Sequence, residues 1–247
     1  MIFGMIKYHW LVLLREPMNM FFGFGLPILQ LFMASQTMEY ELHHYILELM
    51  MPLFIVIGAM VLCFMDSGLS HAYSRQIKFL RRLRMTPVKP ITYIFTGIMS
   101  RLAVLFTFAA IFITVSVTIF DVEIGSRNWA IFIGALVLVF IMFYLMGMFF
   151  ANMLKNAKNS QSALYIVFFG FLLLLNGFIL ADNMPRVVRT ILQHSPTVYA
   201  ANVLQSAWMG DFRTGFGFII FDDISLLIVL GLTAVFGLLS VKFFKYE

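Results

Sequence analysis

Six stretches of about twenty residues with almost no charge dominate the chain, at approximately 18 to 38, 46 to 65, 91 to 120, 129 to 154, 161 to 181 and 224 to 241. Each is long enough to cross the roughly 30 Å hydrocarbon core of a bilayer as a helix. In lipid the backbone must satisfy its own hydrogen bonds, which leaves only helices or a closed barrel. The runs are about twice the length of a barrel strand and lack period-two alternation, so the barrel is excluded. The expected fold is all-α, a polytopic membrane protein with six transmembrane helices. Composition agrees, since the 247 residues are 62% hydrophobic and only 12% charged, where soluble domains carry about 25% charge. The lone Cys63 sits inside an apolar run, which excludes an intrachain disulfide, a thiolate metal site and haem attachment.

An even number of spans places both termini on one side. On that side fall Lys7, Arg15, Arg75, Lys78, Arg81, Arg82, Arg84, Lys89, Arg101, Lys155, Lys158, Lys242 and Lys245, thirteen of the seventeen basic residues. Only Arg127, Arg186, Arg189 and Arg213 lie opposite, together with nine of the twelve acids. The overall +5 thus resolves into +10 on one side and −5 on the other. Basic residues mark cytoplasmic loops, so both termini are expected in the cytoplasm. The positive charge reads as topology, with no nucleic-acid partner implied. The third span is too long for the hydrocarbon core; residues 91 to 101 read as its cytoplasmic extension, with Arg101 snorkelling to the interface.

The chain reads as one transmembrane domain over 1–247, without Gly/Ser linkers or internal repeats. Residues 1–16 combine apolar and aromatic residues with Lys7, His9 and Trp10, ahead of Arg15-Glu16-Pro17. This suits an amphipathic helix on the inner leaflet, with Pro17 at the bend into the first span. A signal peptide is the competing reading, and Lys7 within the apolar stretch argues against it. Two segments between spans are long enough for a separate role, 66–90 inside and 182–223 outside.

The inner segment holds the most distinctive sequence, Ser74-Arg-Gln-Ile-Lys-Phe-Leu-Arg-Arg-Leu-Arg-Met-Thr-Pro-Val-Lys-Pro90. Advancing about 100° per residue, a helix places Arg75, Lys78, Arg81 and Arg82 on one face and Ile77, Phe79, Leu80 and Leu83 on the other, with Arg84 as the exception. Pro87 ends it and Pro90 starts the next helix, where a missing N–H costs nothing. Such a helix either rests its arginines on anionic lipid or inserts its apolar edge into a soluble partner.

A basic helix ending in Arg82-Leu83-Arg84-Met85-Thr86-Pro87, between the second and third of six spans, resembles the permease subunit of the type-2 ABC exporter family, the class of drug and polysaccharide exporters. There a pattern similar to Arg-Glu-x-Gly-Thr-x-x-Arg-Leu-x-x-Thr-Pro forms the coupling helix that sits in a groove of the ATPase subunit. This chain keeps Arg75, Arg82, Leu83, Thr86 and Pro87; Gln76 replaces the usual Glu, and Lys78-Phe79 replace Gly-Thr. The resemblance extends to Arg15-Glu16-Pro17 and to Met184-Pro185, His194-Ser195-Pro196-Thr197-Val198-Tyr199 and Gly210, similar to the family's outer re-entrant helices between spans five and six. It implies ATPase-coupling residues Arg75, Gln76, Lys78, Phe79, Leu80, Arg81, Arg82, Leu83, Arg84, Thr86 and Pro87. It also implies two copies of an ABC ATPase subunit and a second permease copy or similar subunit. No Gly-x-x-x-x-Gly-Lys-Ser/Thr is present, so ATP and Mg belong to the partner chain, this chain needs no cofactor, and it performs no bond chemistry.

The same resemblance puts a substrate pathway at a dimer interface between the second and fifth spans, with Phe54, Met60, Phe64, Phe168, Leu172 and Asn176 as candidate linings. Asn176 stands out because an amide within an apolar run needs substrate, water or another helix as partner. Gly23, Gly25, Gly58, Gly147, Gly170 and Gly177 read first as close-packing positions. His43-His44 with Glu39, Glu41 and Glu48 suggests an outer metal site, but adjacent histidines point apart on a helix and a plain acidic loop fits better. His9, His71 and His194 are isolated, and Ser195 lacks a base and acid for serine catalysis.

Intramembrane charge separates transporter classes, because secondary transporters place ionisable groups near the membrane middle. Asp66, Arg101, Asp182, Asp222 and Asp223 all read as lying at or near span ends, which favours an external energy source. Asp222-Asp223 suits the start of the last helix. The expected function is the permease of an ATP-driven exporter in a bacterial plasma membrane. Its substrate is expected to be hydrophobic or amphipathic, a drug, antimicrobial peptide or lipid, with polysaccharide or glycolipid as the alternative. A non-transporting membrane regulator and a secondary transporter are the readings from other classes.

Overall fold

The computed structural model describes residues 4, 6–9, 11, 17–37, 43–85, 89–122, 128–153, 157–179, 185–209 and 223–244. Among them the chain is helical with no strand, as the apolar runs require. The helices are α1 (Pro17–Thr37), α2 (His43–Ala59), a π-helical stretch (Met60–Met65), α3 (Asp66–Gln76), α4 (Phe79–Arg84), α5 (Pro90–Phe120), α6 (Trp129–Met153), α7 (Ala157–Ile179), α8 (Arg186–Gln193), α9 (Pro196–Met209) and α10 (Asp223–Lys242). Residues 6–9 are also helical. Four helices are long and apolar enough to cross a membrane, Leu47–Gln76, Pro90–Phe120, Trp129–Met153 and Ile224–Lys242.

The first of these runs without interruption through α2, the π-helical stretch and α3, and it forms the centre of the bundle. All six residues from Met60 to Met65 are buried. Their wider winding shows at Asp66, whose N–H points to the Val61 carbonyl five residues back. Glycines let neighbours approach: Gly23 faces the Leu62 side chain, Gly58 the Phe108 ring and Gly147 the backbone carbonyl of Phe64. Gly25 and Gly170 have no such neighbour. Helices α5 and α10 flank this core and keep a broad apolar face outward, including Phe95, Phe106 and Ile111 on α5 and Leu227, Leu230 and Leu238 on α10. In water that exposure would be untenable; against lipid tails it carries no penalty.

At the end of the bundle far from α4, an aromatic cluster ties α6 to α9. The buried Trp208 ring packs edge-on against Phe132 and Trp129, at centroid distances of 5.1 and 6.1 Å. Gln205 donates to the Leu49 carbonyl of α2 at 3.1 Å. Helix α9 starts on Pro196, where no N–H is needed, and the Ser195 and Thr197 hydroxyls bond each other at 2.7 Å. At the opposite end α5 likewise starts on Pro90.

Candidate functional site

Helix α3 is short, polar and almost wholly buried, which is unusual enough to locate a site. Asp66, Ser67, Ser70, His71, Ser74 and Arg75 are all buried on its 11 residues, and a buried polar group is costly unless it finds a partner. Each of the six does, though the second ring nitrogen of His71, Nδ1, is buried without one. Ser67 donates to the Tyr144 carbonyl at 2.9 Å. His71 Nε2 meets Asn152 Oδ1 at 2.8 Å, and the Asn152 amide donates to the Met148 carbonyl at 3.0 Å. Arg75 donates to the Ala151 carbonyl at 3.0 Å, in the last turn of α6 where carbonyls lack helical partners.

Asp66 forms an ion pair with Arg101 of α5, with side-chain exposures of 4% and 1%. Ser70 joins both, since Arg101 Nη2 donates to its hydroxyl at 2.9 Å and that hydroxyl donates to Asp66 Oδ1 at 3.4 Å. The guanidinium also lies 5.6 Å from the centroid of the Tyr144 ring, within cation–π range. Gly97, one turn before Arg101, makes room for the Tyr144 hydroxyl. Arg101 therefore does not snorkel to an interface as its position in the sequence suggested. An acid within reach on the facing helix holds the charge inside the protein instead.

The basic segment is not one helix from 75 to 85. Helix α3 ends at Gln76, and Lys78 takes a left-handed backbone with φ of 57° before α4 begins at Phe79. This conformation costs a residue with a Cβ roughly 1–2 kcal/mol. It also breaks the 100° progression, so two positions leave the faces the wheel gave them. Arg75 is buried at 7% exposure and Ile77 is 42% exposed. The other described positions keep their faces, with Leu80 and Leu83 buried, Phe79 half-buried and Lys78, Arg81 and Arg82 exposed; Gln76 and Met85 are exposed too. The family resemblance has glycine where Lys78 stands, and the positive φ is the physical reason for a glycine there. Thr86 and Pro87 lie outside the described residues, as does the Arg84 side chain.

The apolar side of α4 is covered by the chain's own N-terminal helical residues. Tyr8 stacks on Phe79 with centroids 4.0 Å apart and planes 10° from parallel. Its hydroxyl bonds the Ser74 hydroxyl at 2.9 Å, which also receives the Tyr93 hydroxyl at 3.4 Å. His9 packs on Tyr93 at 4.9 Å. Lys7 and Leu11 are exposed while His9 is buried. One tyrosine thus touches α4 through its ring and α3 through its hydroxyl, with α5 one hydroxyl further on.

The six pathway candidates divide. Phe54, Met60 and Phe64 are buried within the single chain, Phe64 between Phe150 and Phe171 at 6.0 Å each. They lie on the central helix, which offers little outward face. On α7, Phe168 is buried as well, while Leu172 and Asn176 are half-buried beside the exposed Phe169 and Leu173. Asn176 solves its need for a partner locally by donating to the Leu172 carbonyl at 2.9 Å. Of the suggested metal site, residues 39 and 41 lie outside the described residues, as do the side chains of His43 and His44. No metal-ligating cluster occurs among the described residues.

The polar network was legible only in part from the sequence. Asp66 lies ten residues before the end of α3 and Arg101 eleven after the start of α5; Ser74 and Tyr93 lie two and three residues from the same ends. Two helices running in opposite directions bring such positions level, and matched depths of opposite charge were the available signal.

A family profile for the ABC-2 type transporter matches residues 2–209, from the N-terminal helical residues through α9. The chain belongs to the ABC-2 type transporter family. No curated protein matches the chain with significant similarity. Membership makes this chain an ABC permease component of a membrane, and ABC-2 permeases work with an ABC ATPase partner. The permease component is generally not itself catalytic. The network around Asp66 and the exposed side of α4 both fall within the matched span.

Proposed function

We propose that this ABC-2 permease drives export of a hydrophobic or amphipathic substrate, a drug, antimicrobial peptide or lipid. It would work as a homodimer, or with a similar subunit, against two copies of a separate ATPase that binds ATP and Mg. The observation that carries this reading is the two-sidedness of α4. Its exposed side offers Lys78, Arg81 and Arg82, and its buried side is fixed to the bundle through Leu80, Leu83 and the Tyr8–Phe79 stack. A push on the first side must reach the second.

ATP binding closes the ATPase pair and displaces α4. Tyr8 passes the displacement to Ser74 of α3 and, through that hydroxyl, to Tyr93 of α5. The ATPase thereby favours one of two packings of the spans over the other, which is all that alternating access requires. Helices α1 and α7, of 21 and 23 residues, are about 31 and 35 Å long at 1.5 Å per residue, which supports six spans. Helix α9, at 14 residues, is about 21 Å long and suits a re-entrant segment. The charge asymmetry supports a cytoplasmic position for both termini and α4, and the membrane of this reading is a bacterial plasma membrane. The side of α7 near the half-buried Leu172 and Asn176 is the preferred pathway wall.

Permease and ATPase reconstituted in vesicles test this reading. Substrate export should stop with a Walker-lysine variant of the ATPase and persist when the proton gradient is collapsed. The opposite pattern would make this chain a secondary transporter, and ATP turnover with nothing moved would make it a regulatory subunit.

A further inference from the structure

We infer that the π-helical stretch Met60–Met65 is a register switch: in the second packing of the permease it closes to α-helix and turns the leading half of the central helix, Leu49–Ala59, against a fixed α3. The inference rests on the ATP-driven reading above and names the element that holds its two packings. A π-helical turn inside an α-helix carries one residue more than the turn it replaces, and such turns concentrate at functional sites. The Asp66 N–H reaching back to the Val61 carbonyl marks that extra residue. When the turn closes to α geometry with α3 in place, every residue before it advances by one position, a rotation of about 100° and a translation of about 1.5 Å.

The two halves of the helix differ in what a rotation costs. From Leu49 to Met65 no side chain is more polar than a thiol or a thioether, and from Met51 to Met65 every residue is buried. A helix that is apolar and buried on every side meets apolar neighbours whichever way it turns, so one close packing is exchanged for another. The Gln205 bond to this half goes to the Leu49 backbone carbonyl, and a rotated helix presents another carbonyl in its place. Beyond the stretch the reverse holds. Asp66, Ser67, His71 and Arg75 are tied to Arg101, the Tyr144 carbonyl, Asn152 and the Ala151 carbonyl. These bonds are directional, and turning α3 would leave each buried polar group without its partner. The boundary between the half that can turn and the half that cannot falls at the π-helical stretch. The residues beside it suit the exchange. Gly58 faces the Phe108 ring of α5 with no room for a Cβ, and after a one-position advance Ala59, the smallest residue that has one, stands there. Packed cores move between discrete arrangements in this way rather than deforming continuously.

The test uses permease purified from native membranes with its own ATPase, in a Cys63→Ala background, carrying Phe108→Cys with either Gly58→Cys or Ala59→Cys. A bifunctional thiol reagent as long as the lost ring is applied without nucleotide and after trapping with ATP and orthovanadate, and the linked peptides are counted by mass spectrometry. The link from position 58 should lead by about tenfold without nucleotide, and the link from position 59 by about tenfold after trapping. A lead for position 58 in both states, with ADP trapped at the native level, would overturn the inference and leave the ATP-driven reading standing. A native chain whose preparation traps no ADP would overturn that reading and the switch with it. Deletion of Val61 removes the extra residue and leaves both halves on their nucleotide-free faces. This variant should keep the native melting temperature and its ATPase yet trap about tenfold less ADP, because the packing that the closed ATPase pair needs is out of reach. Native trapping by the deletion variant would also overturn the inference; where the deletion lowers the amount of folded permease, the cross-links decide.

Discussion

Asp66 and Arg101 pair inside the bundle at matched depth, each about 15 Å along its helix from the reversal that joins α3 to α5. Removing one partner leaves a buried, uncompensated charge, which costs about 3–5 kcal/mol. Asp66→Leu and Arg101→Met should each lower the melting temperature of the detergent-purified permease by roughly 10 °C, at ~2–4 °C per kcal/mol for a chain of this size. The double replacement should recover much of that loss. Equal loss in the double variant would show that the pair's volume matters and its charge does not.

Tyr8 and Phe79 join the N-terminal helical residues to α4, and an aromatic pair of this kind contributes about 0.5–1.5 kcal/mol beyond its buried area. A double-mutant cycle of Tyr8→Leu and Phe79→Leu should give a coupling energy in that range. Both single variants should lower substrate-stimulated ATP hydrolysis in the reconstituted system more than ATPase binding, because the link behind α4 is weakened and its exposed side is not. Tyr8→Phe keeps the stack and loses the hydroxyl bond to Ser74, so it should fall between native and Tyr8→Leu.

His9 is buried, and burial pushes its pKa down to about 3, with the nearby Arg101 charge acting in the same direction. In the unfolded chain its pKa is about 6.5. The folded state therefore holds a neutral imidazole, and the unfolded state gains a proton first as pH falls. Its effect on stability fades above about pH 7 and grows as a penalty between there and pH 3, reaching ~1.4 kcal/mol near pH 5.5. His9→Gln should flatten the melting temperature between pH 7 and 5.5 relative to the native chain, as measured on the detergent-purified protein. An unchanged slope would place the acid sensitivity elsewhere.

Gly147 and Gly134 lie on the same helix in opposite surroundings. A Cβ on Gly147 would meet the Phe64 carbonyl and come within 2.6 Å of Ser67 Oγ, whereas one on Gly134 meets nothing within 4 Å. Gly147→Ala forces the central helix and α6 apart and should sharply reduce the folded permease recovered from membranes. Gly134→Ala should leave recovery unchanged or slightly higher, since alanine favours the helix by about 1 kcal/mol. Size-exclusion recovery of the two variants decides this.

The all-α class and the positions of the long spans were legible because apolar run length is a direct consequence of membrane thickness. Pro90 marked a helix start for an equally local reason. Arg75 and Arg101 were misplaced because burial is set by partners distant in sequence: the Ala151 carbonyl for one and Asp66 for the other. The break at Lys78 had no local signal, since lysine is an ordinary helix residue and the usual turn glycine is missing. Phe79, Leu80 and Leu83 formed an apolar edge that read as available to a soluble partner, and the structure turns them to the chain's own interior. Charging those three would disrupt the permease itself, so the exposed arginines carry the decisive test.

Arg81→Glu with Arg82→Glu reverses two exposed charges and leaves Leu80, Leu83 and the Tyr8–Phe79 stack unchanged in sequence. Affinity-tagged permease carrying both changes, purified from native membranes, should match the native chain in amount and melting temperature while retaining less than about a tenth of its ATPase, ~1.4 kcal/mol or more of lost binding. Retention of the native amount of ATPase, at native permease levels and with export intact, would contradict the account.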